Sequence, residues 1–225
     1  MKGICLFLIL SATFFTAFAH KEKWDENKKD WSPLMLAIYK GQTSKVNKLI
    51  DQNVDLNFVT PGVNSRWRLT ALDVAIRKDN ESAVEVLLLT NKISEPESYL
   101  MTACSRKSAK IVQLLINYGA SANDTLENGY SVAMMAASFG SNEVLECLLK
   151  NGANIEQTRK VDGMTILMFA TFNGDIEKVR LLLDYGADRY AKDKNGATAL
   201  NYVDQIYDRF NVEENTKVEL RQLLK

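Results

Sequence analysis

Apolar residues recur at three- and four-residue spacing in "GDIEKVRLLLDYGAD", residues 174–188. Ile176, Val179, Leu182 and Leu183 fall on one side of a helical turn pattern, while Glu177, Lys178 and Arg180 fall on the other. This spacing predicts an amphipathic helix with one buried stripe. Leu181 widens the stripe enough to touch both a partner helix and a neighbouring unit, and Gly186 predicts a left-handed C-cap. The same pattern returns in "GSNEVLECLLKNGAN", residues 140–154, with Gly152-Ala153 lying 34 residues before Gly186-Ala187. A further step of 33 reaches Gly119-Ala120. A fixed period of this size predicts stacked units, each too small to bury its apolar face alone.

The whole unit is legible in "NGYSVAMMAASFGSNEVLECLLKNGANIE" from Asn128 and "DGMTILMFATFNGDIEKVRLLLDYGADRY" from Asp162. Each holds a Gly turn, a Ser or Thr helix cap, a short apolar helix, a second Gly turn, a second helix and a closing Gly. These residues resemble the ankyrin repeat, whose pattern runs Gly-x-Thr-Pro-Leu-His-x-Ala-Ala-x-x-Gly and then a helix ending in Leu-Leu-x-x-Gly-Ala-Asp. The resemblance extends to "SPLMLAIYKG" at 32–41, "TALDVAIRKD" at 70–79, "SYLMTACSRK" at 98–107 and a degenerate "GATALNYVDQ" at 196–205. It implies an all-α ankyrin-repeat solenoid of about six helix-turn-helix units joined by β-turn or hairpin loops. The units fall at about 31–58, 68–93, 97–123, 128–157, 162–191 and 195–225.

Five units keep the alanine at which helices must approach closely, namely Ala37, Ala75, Ala103, Ala136 and Ala170. The departures also carry information. Met35, Met101, Met134 and Met168 replace the pattern's histidine, keeping its packing volume but not its hydrogen bonds. Its proline survives only as Pro33. Alanine-to-alanine spacing runs 38, 28, 33 and 34 residues, so the loop "VTPGVNSRW" is long and the connection "ISEPE" is short. Val203 replaces the last alanine, and "EENTKVELRQLLK" reads as a polar-faced helix closing the open end of the stack.

Residues 1–19 stand apart. Lys2 gives a positive start, Ile4 to Phe15 is apolar, and Ala17-Phe18-Ala19 is a small-x-small cleavage pattern, so 1–19 is expected to be a removed signal peptide. The apolar run is short for a bilayer span and the polar leader 20–30 follows it, which argues against stable membrane insertion. The chain carries 28 basic and 28 acidic residues. Removing the segment takes away one lysine and leaves the balance slightly negative, so bulk charge predicts neither a nucleic-acid nor a membrane partner. Cys104 and Cys147 remain in a compartment that permits a disulfide. Their repeat positions place them on different helices, and two separate buried thiols are the expectation.

No catalytic constellation is expected. His20 is the sole histidine, which removes the second ligand from a copper brace and the partner from a serine or zinc scheme. "GASAN" at 119–123 lacks the second glycine of a nucleophile elbow, and no phosphate-binding glycine loop appears. Neither a metal nor a cofactor is expected.

The ankyrin resemblance implies a concave face built from loop tips and the exposed side of each first helix. Carried over residue by residue, the loop position before the capping Ser or Thr gives Trp31, Leu69, Tyr130 and Met164. The first-helix positions give Tyr39, Lys40, Arg77, Lys78 and Arg106, then Phe139, Phe172 and Asn173. Arg66 and Trp67 join them from the long loop. Aromatic anchors suit protein binding, with packing into adjacent units as the competing reading for Phe139 and Phe172 and covering of the open first repeat as that for Trp31. Arg66, Arg68, Arg77, Lys78, Arg106 and Lys107 form a basic stripe that suits an acidic patch on a partner protein, with a solvated charged face as the competing reading. Methionine in place of histidine and the plain Ala-x-Ala site resemble bacterial members of the family, which implies a periplasmic location, with secretion as the alternative. Such proteins include immunity proteins that block delivered toxins, for example a type VI secretion phospholipase. Accessory proteins of catalase-based peroxide defence and host-directed effectors are the other groups.

Overall fold

The computed structural model describes residues 28–61, 68–93, 99–205 and 214–225. The expected signal peptide, most of the leader, Arg66 and Trp67 lie outside the described residues. Within them the chain forms helices α1 (Pro33–Tyr39), α2 (Thr43–Asp51), α3 (Ala71–Arg77), α4 (Glu81–Leu89), α5 (Leu100–Ser105) and α6 (Ala109–Asn117). They continue with α7 (Val132–Phe139), α8 (Asn142–Lys150), α9 (Ile166–Phe172), α10 (Ile176–Asp184), α11 (Ala199–Tyr202) and α12 (Glu214–Leu223). The described residues contain no β-structure beyond the isolated bridges Thr125–Ser131 and Thr158–Thr165. The all-α reading holds.

Two compact bodies divide between Ile93 and Ser94. In the amino-terminal body α1 packs on α3 and α2 on α4. In the carboxy-terminal body α5, α7, α9 and α11 pack in succession, and α6, α8, α10 and α12 form a second succession behind them. Each body is therefore a pair of helical layers, with the first helices of the repeats in one layer and the second helices in the other.

In each body the layer of first helices is held by small side chains. Ala37, Ala75, Ala103, Ala136 and Ala170 are all completely buried, because a larger side chain there would hold adjacent helices apart. The next position is also buried and is filled by Ile38, Ile76, Cys104, Ala137 and Thr171. Cys104 is thus a packing residue, and burial pushes its thiol well above the usual range. Cys147 is half-buried on α8, where its thiol donates to Gln113 Oε1 at 3.5 Å. Both cysteines are free thiols.

Capping fixes where the first helices begin. Ser131 Oγ accepts from Met134 N at 3.1 Å and Thr165 Oγ1 from Met168 N at 3.3 Å, satisfying donors that the first turn leaves open. The methionines in the histidine slot return part of the lost polar link. Met134 Sδ accepts from Ser131 N at 3.5 Å and Met168 Sδ from Thr165 N at 3.4 Å, weak bonds to a soft acceptor. In the second repeat Asp73 closes the box fully, accepting from Thr70 N and Thr70 Oγ1 at 2.9 Å each. Burial raises the Asp73 pKa, and the Thr70 bonds oppose that rise.

One helix face departs from the pattern. Lys178, assigned to the solvent side of α10, is buried, with its ammonium 2.9 Å from Asp175 Oδ2. Asp175 caps α10 by accepting from Lys178 N at 3.1 Å, so one carboxylate serves the helix end and neutralises the lysine while its methylene stem packs inward.

The loops of the carboxy-terminal body form a hydrogen-bonded ladder. The loop from Leu126 closes on itself through Leu126 N to Tyr130 O at 2.9 Å, and Asn128 O then accepts from Lys160 N of the next loop at 3.1 Å. Asp162 O likewise accepts from Lys194 N at 2.8 Å. Gly129 makes this hand-over possible. Its φ is +79°, and an added Cβ would lie 2.7 Å from the Lys160 backbone nitrogen. Gly152 has a similar φ of +82° but open space around it. Gly152→Ala should therefore cost about 1 kcal/mol for the left-handed backbone alone, and Gly129→Ala roughly 2 kcal/mol more because backbone must move. Urea unfolding of the two variants checks the order; equal midpoints would contradict the hand-over.

Candidate protein-binding surface

The loop position before the helix cap does not face solvent. Trp31, Leu69, Tyr130 and Met164, all expected on the binding face, are buried, Tyr130 to 1% exposure. In the carboxy-terminal body the reason is the loop ladder, which turns this position under its own hairpin and against the next repeat; in the amino-terminal body contacts within the same loop or repeat enclose it. The Leu69 amide donates to Thr60 Oγ1 at 2.9 Å and its carbonyl accepts from Thr60 N at 3.0 Å. The Tyr130 ring meets Phe169 edge-on at 5.3 Å between centroids, and its hydroxyl lies 2.9 Å from Ser138 Oγ and donates to Met134 O at 3.2 Å. Met164 Sδ accepts from Arg159 Nη2 at 3.5 Å. Trp31 packs edge-on against Tyr39 at 5.4 Å, as the covering reading anticipates.

A buried polar cluster supports these loops, and the sequence pattern gave no sign of it. Arg159 is buried, pairs with Asp162 and lies 4.9 Å over the Phe169 ring. Asp193, also buried, accepts from Asn195 N and Ala197 N at 2.8 Å and from Tyr202 Oη at 2.7 Å. Both acids organise hairpins. An acid immediately before a loop glycine was the available signal for Asp162, but nothing in the spacing distinguished it from a solvated acid.

The first-helix positions do reach solvent. In the amino-terminal body Lys40 and Lys78 are exposed and Tyr39 and Arg77 half-buried. Lys28 Nζ lies 4.2 Å and Lys78 Nζ 4.6 Å from the Tyr39 ring centre, so cation–π attraction gathers two ammonium groups on one aromatic. An open depression of about 440 Å³ beside them is bounded by Tyr39, Gly41, Lys78, Asn80 and Glu81.

In the carboxy-terminal body Arg106, Phe139, Phe172 and Asn173 are half-buried. Arg106, Phe139 and Asn173 occupy one repeat position at the C-terminal ends of α5, α7 and α9, which pack in succession. Phe172 meets Tyr202 edge-on at 6.4 Å. Desolvation lowers the Arg106 pKa. Loop tips add Leu126 and Val161, exposed to 37% and 46%, as apolar surface not predicted from sequence. Among the described residues no group of His, Cys, Asp and Glu is arranged to hold a metal ion, and no helix is long and apolar enough to cross a membrane.

Comparison with known proteins follows the same geometry. The family description "Ankyrin repeats (3 copies)" matches residues 4–97, 87–159 and 133–203, together most of the sequence. The chain belongs to the ankyrin-repeat family. The first match begins within the apolar amino-terminal segment. The crystal structure of the ankyrin repeat domain of Bcl-3 is similar, with a TM-score of 0.67 and 22% identity over 86% of this chain and 84% of that one, a likeness of fold. The ankyrin repeat protein nuc-2 of Neurospora crassa is 27% identical over 176 residues, 76% of this chain and 16% of its own length. The E3 ubiquitin-protein ligase KEG of Arabidopsis thaliana is 31% identical over 116 residues, 51% of this chain and 7% of its own. An ankyrin repeat-containing protein of Treponema pallidum is 37% identical over 82 residues, 36% of this chain and 27% of its own. The chain thus spans only a small part of these relatives. What they share with it is a protein–protein interaction module.

The buried hydroxyl of Tyr130 in this ankyrin stack is testable. Tyr130→Phe removes two hydrogen bonds and should cost about 1 kcal/mol. Burial raises the phenol pKa of Tyr130 and, with the Asp193 carboxylate beside it, that of Tyr202. A raised folded pKa means stability present below the ordinary phenol range and lost as pH rises above it. Tyrosinate absorbance during alkaline titration should show these two rings ionising only as the fold is lost, and Tyr130→Phe should remove one late-titrating ring. Ionisation of every tyrosine before unfolding would contradict this burial.

Proposed function

We propose that the chain is an exported binding protein that neutralises a toxin by covering it, an immunity protein of the bacterial periplasm. The observation that carries the reading is the outward edge of α5, α7 and α9. There Phe139 and Phe172 are half-buried and not fully enclosed by the repeats around them. Partly exposed aromatics on a preformed surface lose little entropy on binding and supply anchors. Inhibition by occlusion requires such a face and no chemistry of its own. The apolar segment 1–19 and its Ala17-Phe18-Ala19 site support export.

The test uses the chain without residues 1–19, incubated with a periplasmic extract of its source and passed through gel filtration. A toxin-class hydrolase such as a phospholipase should co-elute and lose activity in the complex. Phe139→Ser combined with Phe172→Ser should weaken that complex tenfold or more, with the helical circular dichroism unchanged. Failure to recover any hydrolase, together with peroxide sensitivity of a deletion strain, would replace this reading with an accessory role in catalase-based defence. Detection in culture supernatant or infected cells would favour a host-directed effector.

A further inference from the structure

Methionine fills the histidine slot of the repeat four times, and one of the four is set apart. Past residue 19 the chain carries Met35, Met101, Met134, Met135, Met164 and Met168. All but Met101 are 2% exposed or less, and the sulfurs of Met134, Met168 and Met164 already accept hydrogen bonds from Ser131 N, Thr165 N and Arg159 Nη2. Met101 is half-buried. The cause lies in the place of its helix. α5 opens the succession of first helices in the carboxy-terminal body, so within that body it has one first helix beside it, α7, whereas α7 and α9 are enclosed from both sides. The two thiols compete poorly for an oxidant. Cys104 is fully buried, Cys147 donates to Gln113 Oε1, and burial raises the pKa of both. A thiol reacts with peroxide as its thiolate, whereas a thioether needs no deprotonation.

We propose that Met101 is a reversible oxidation site of the folded chain, taken to the sulfoxide by a hydroperoxide while burial shields the other methionines. The sulfur lone pair attacks one peroxide oxygen, an S–O bond forms as the O–O bond breaks, and the second oxygen leaves as water after proton transfer. Sulfur gives up two electrons and the peroxide takes them. Placement permits this without unfolding. The slot belongs to histidine in the repeat pattern, so a polar group is compatible with it, and half-burial leaves the new oxygen some water to bond with. A sulfoxide at Met134 or Met168 would instead force a polar oxygen into a filled core, at a cost in stability. Partial exposure also lets a methionine sulfoxide reductase reach the group and restore the thioether. The inference does not rest on toxin binding; it adds a redox chemistry to the carboxy-terminal body.

The experiment treats the chain from residue 20 onward with hydrogen peroxide at about pH 5.5, where thiolate is scarce, and follows each site by peptide mass spectrometry. Met101 should gain one oxygen about tenfold faster than any other methionine or either cysteine. In urea above the unfolding midpoint, all six methionines should react at rates within about twofold of one another. The singly oxidised protein should keep its helical circular dichroism. Reductases for both sulfoxide epimers should then return it to its starting mass without denaturant. Met101→Leu, similar in volume, should abolish the fast phase, and the wild-type kinetics decide the matter even where that variant folds poorly. Another methionine or a cysteine reacting first, or equal rates at all sites of the folded protein, would overturn the inference. Loss of helical signal in step with Met101 oxidation would overturn it too, by making unfolding the route to the sulfur. Resistance of the sulfoxide to both reductases would overturn it as a reversible site.

Discussion

Close contact between first helices at alanine is the constraint on which the rest depends. Ala37, Ala75, Ala103, Ala136 and Ala170 are fully buried, and a methyl group is nearly the largest side chain that adjacent helices allow there. Once the helices are this close, the residue after each alanine is also enclosed. That is why Cys104 and Thr171 behave as core residues despite their polar atoms. Thr171 Oγ1 donates back to Leu167 O at 2.9 Å, which satisfies its hydroxyl inside its own helix. Free energy in such an array comes mainly from neighbour contacts, since a six- or seven-residue helix is too short to hold itself together in water.

The same spacing sets the loops. Adjacent hairpins are brought close enough for Asn128 O to accept from Lys160 N, and Asp162 O from Lys194 N. Buried polar groups then stabilise the hairpins from beneath, with Arg159 against Asp162 and Tyr202 against Asp193. Each buried charge has its partner close by, so the arrangement meets the condition under which burial of charge is tolerated.

Much of this was legible in the sequence, and the reasons are local. Alanine spacing, Gly-Ala pairs at 33 and 34 residues and Ser or Thr before an apolar run each report on contacts within one repeat. The failures share a different origin. Tyr130 and Met164 were placed on the surface because their loop position is exposed when a repeat is considered alone, and the next hairpin covers it, whereas Leu69 is enclosed by its own loop through Thr60. Lys178 was placed in water because charge suggested it, whereas Asp175, three residues earlier, accompanies it inward. In both cases burial is decided by a neighbour that periodicity does not encode. Lys40, Lys78, Phe139 and Phe172 keep part of their surface in solvent, as the repeat position alone indicates.

That last group identifies where the stack is free to vary. At the position three after the key alanine the chain carries the cations Lys40, Lys78 and Arg106 in three repeats, an aromatic, Phe139, in the fourth and an amide, Asn173, in the fifth. A position under packing constraint cannot tolerate such variety, as the uniform alanines show.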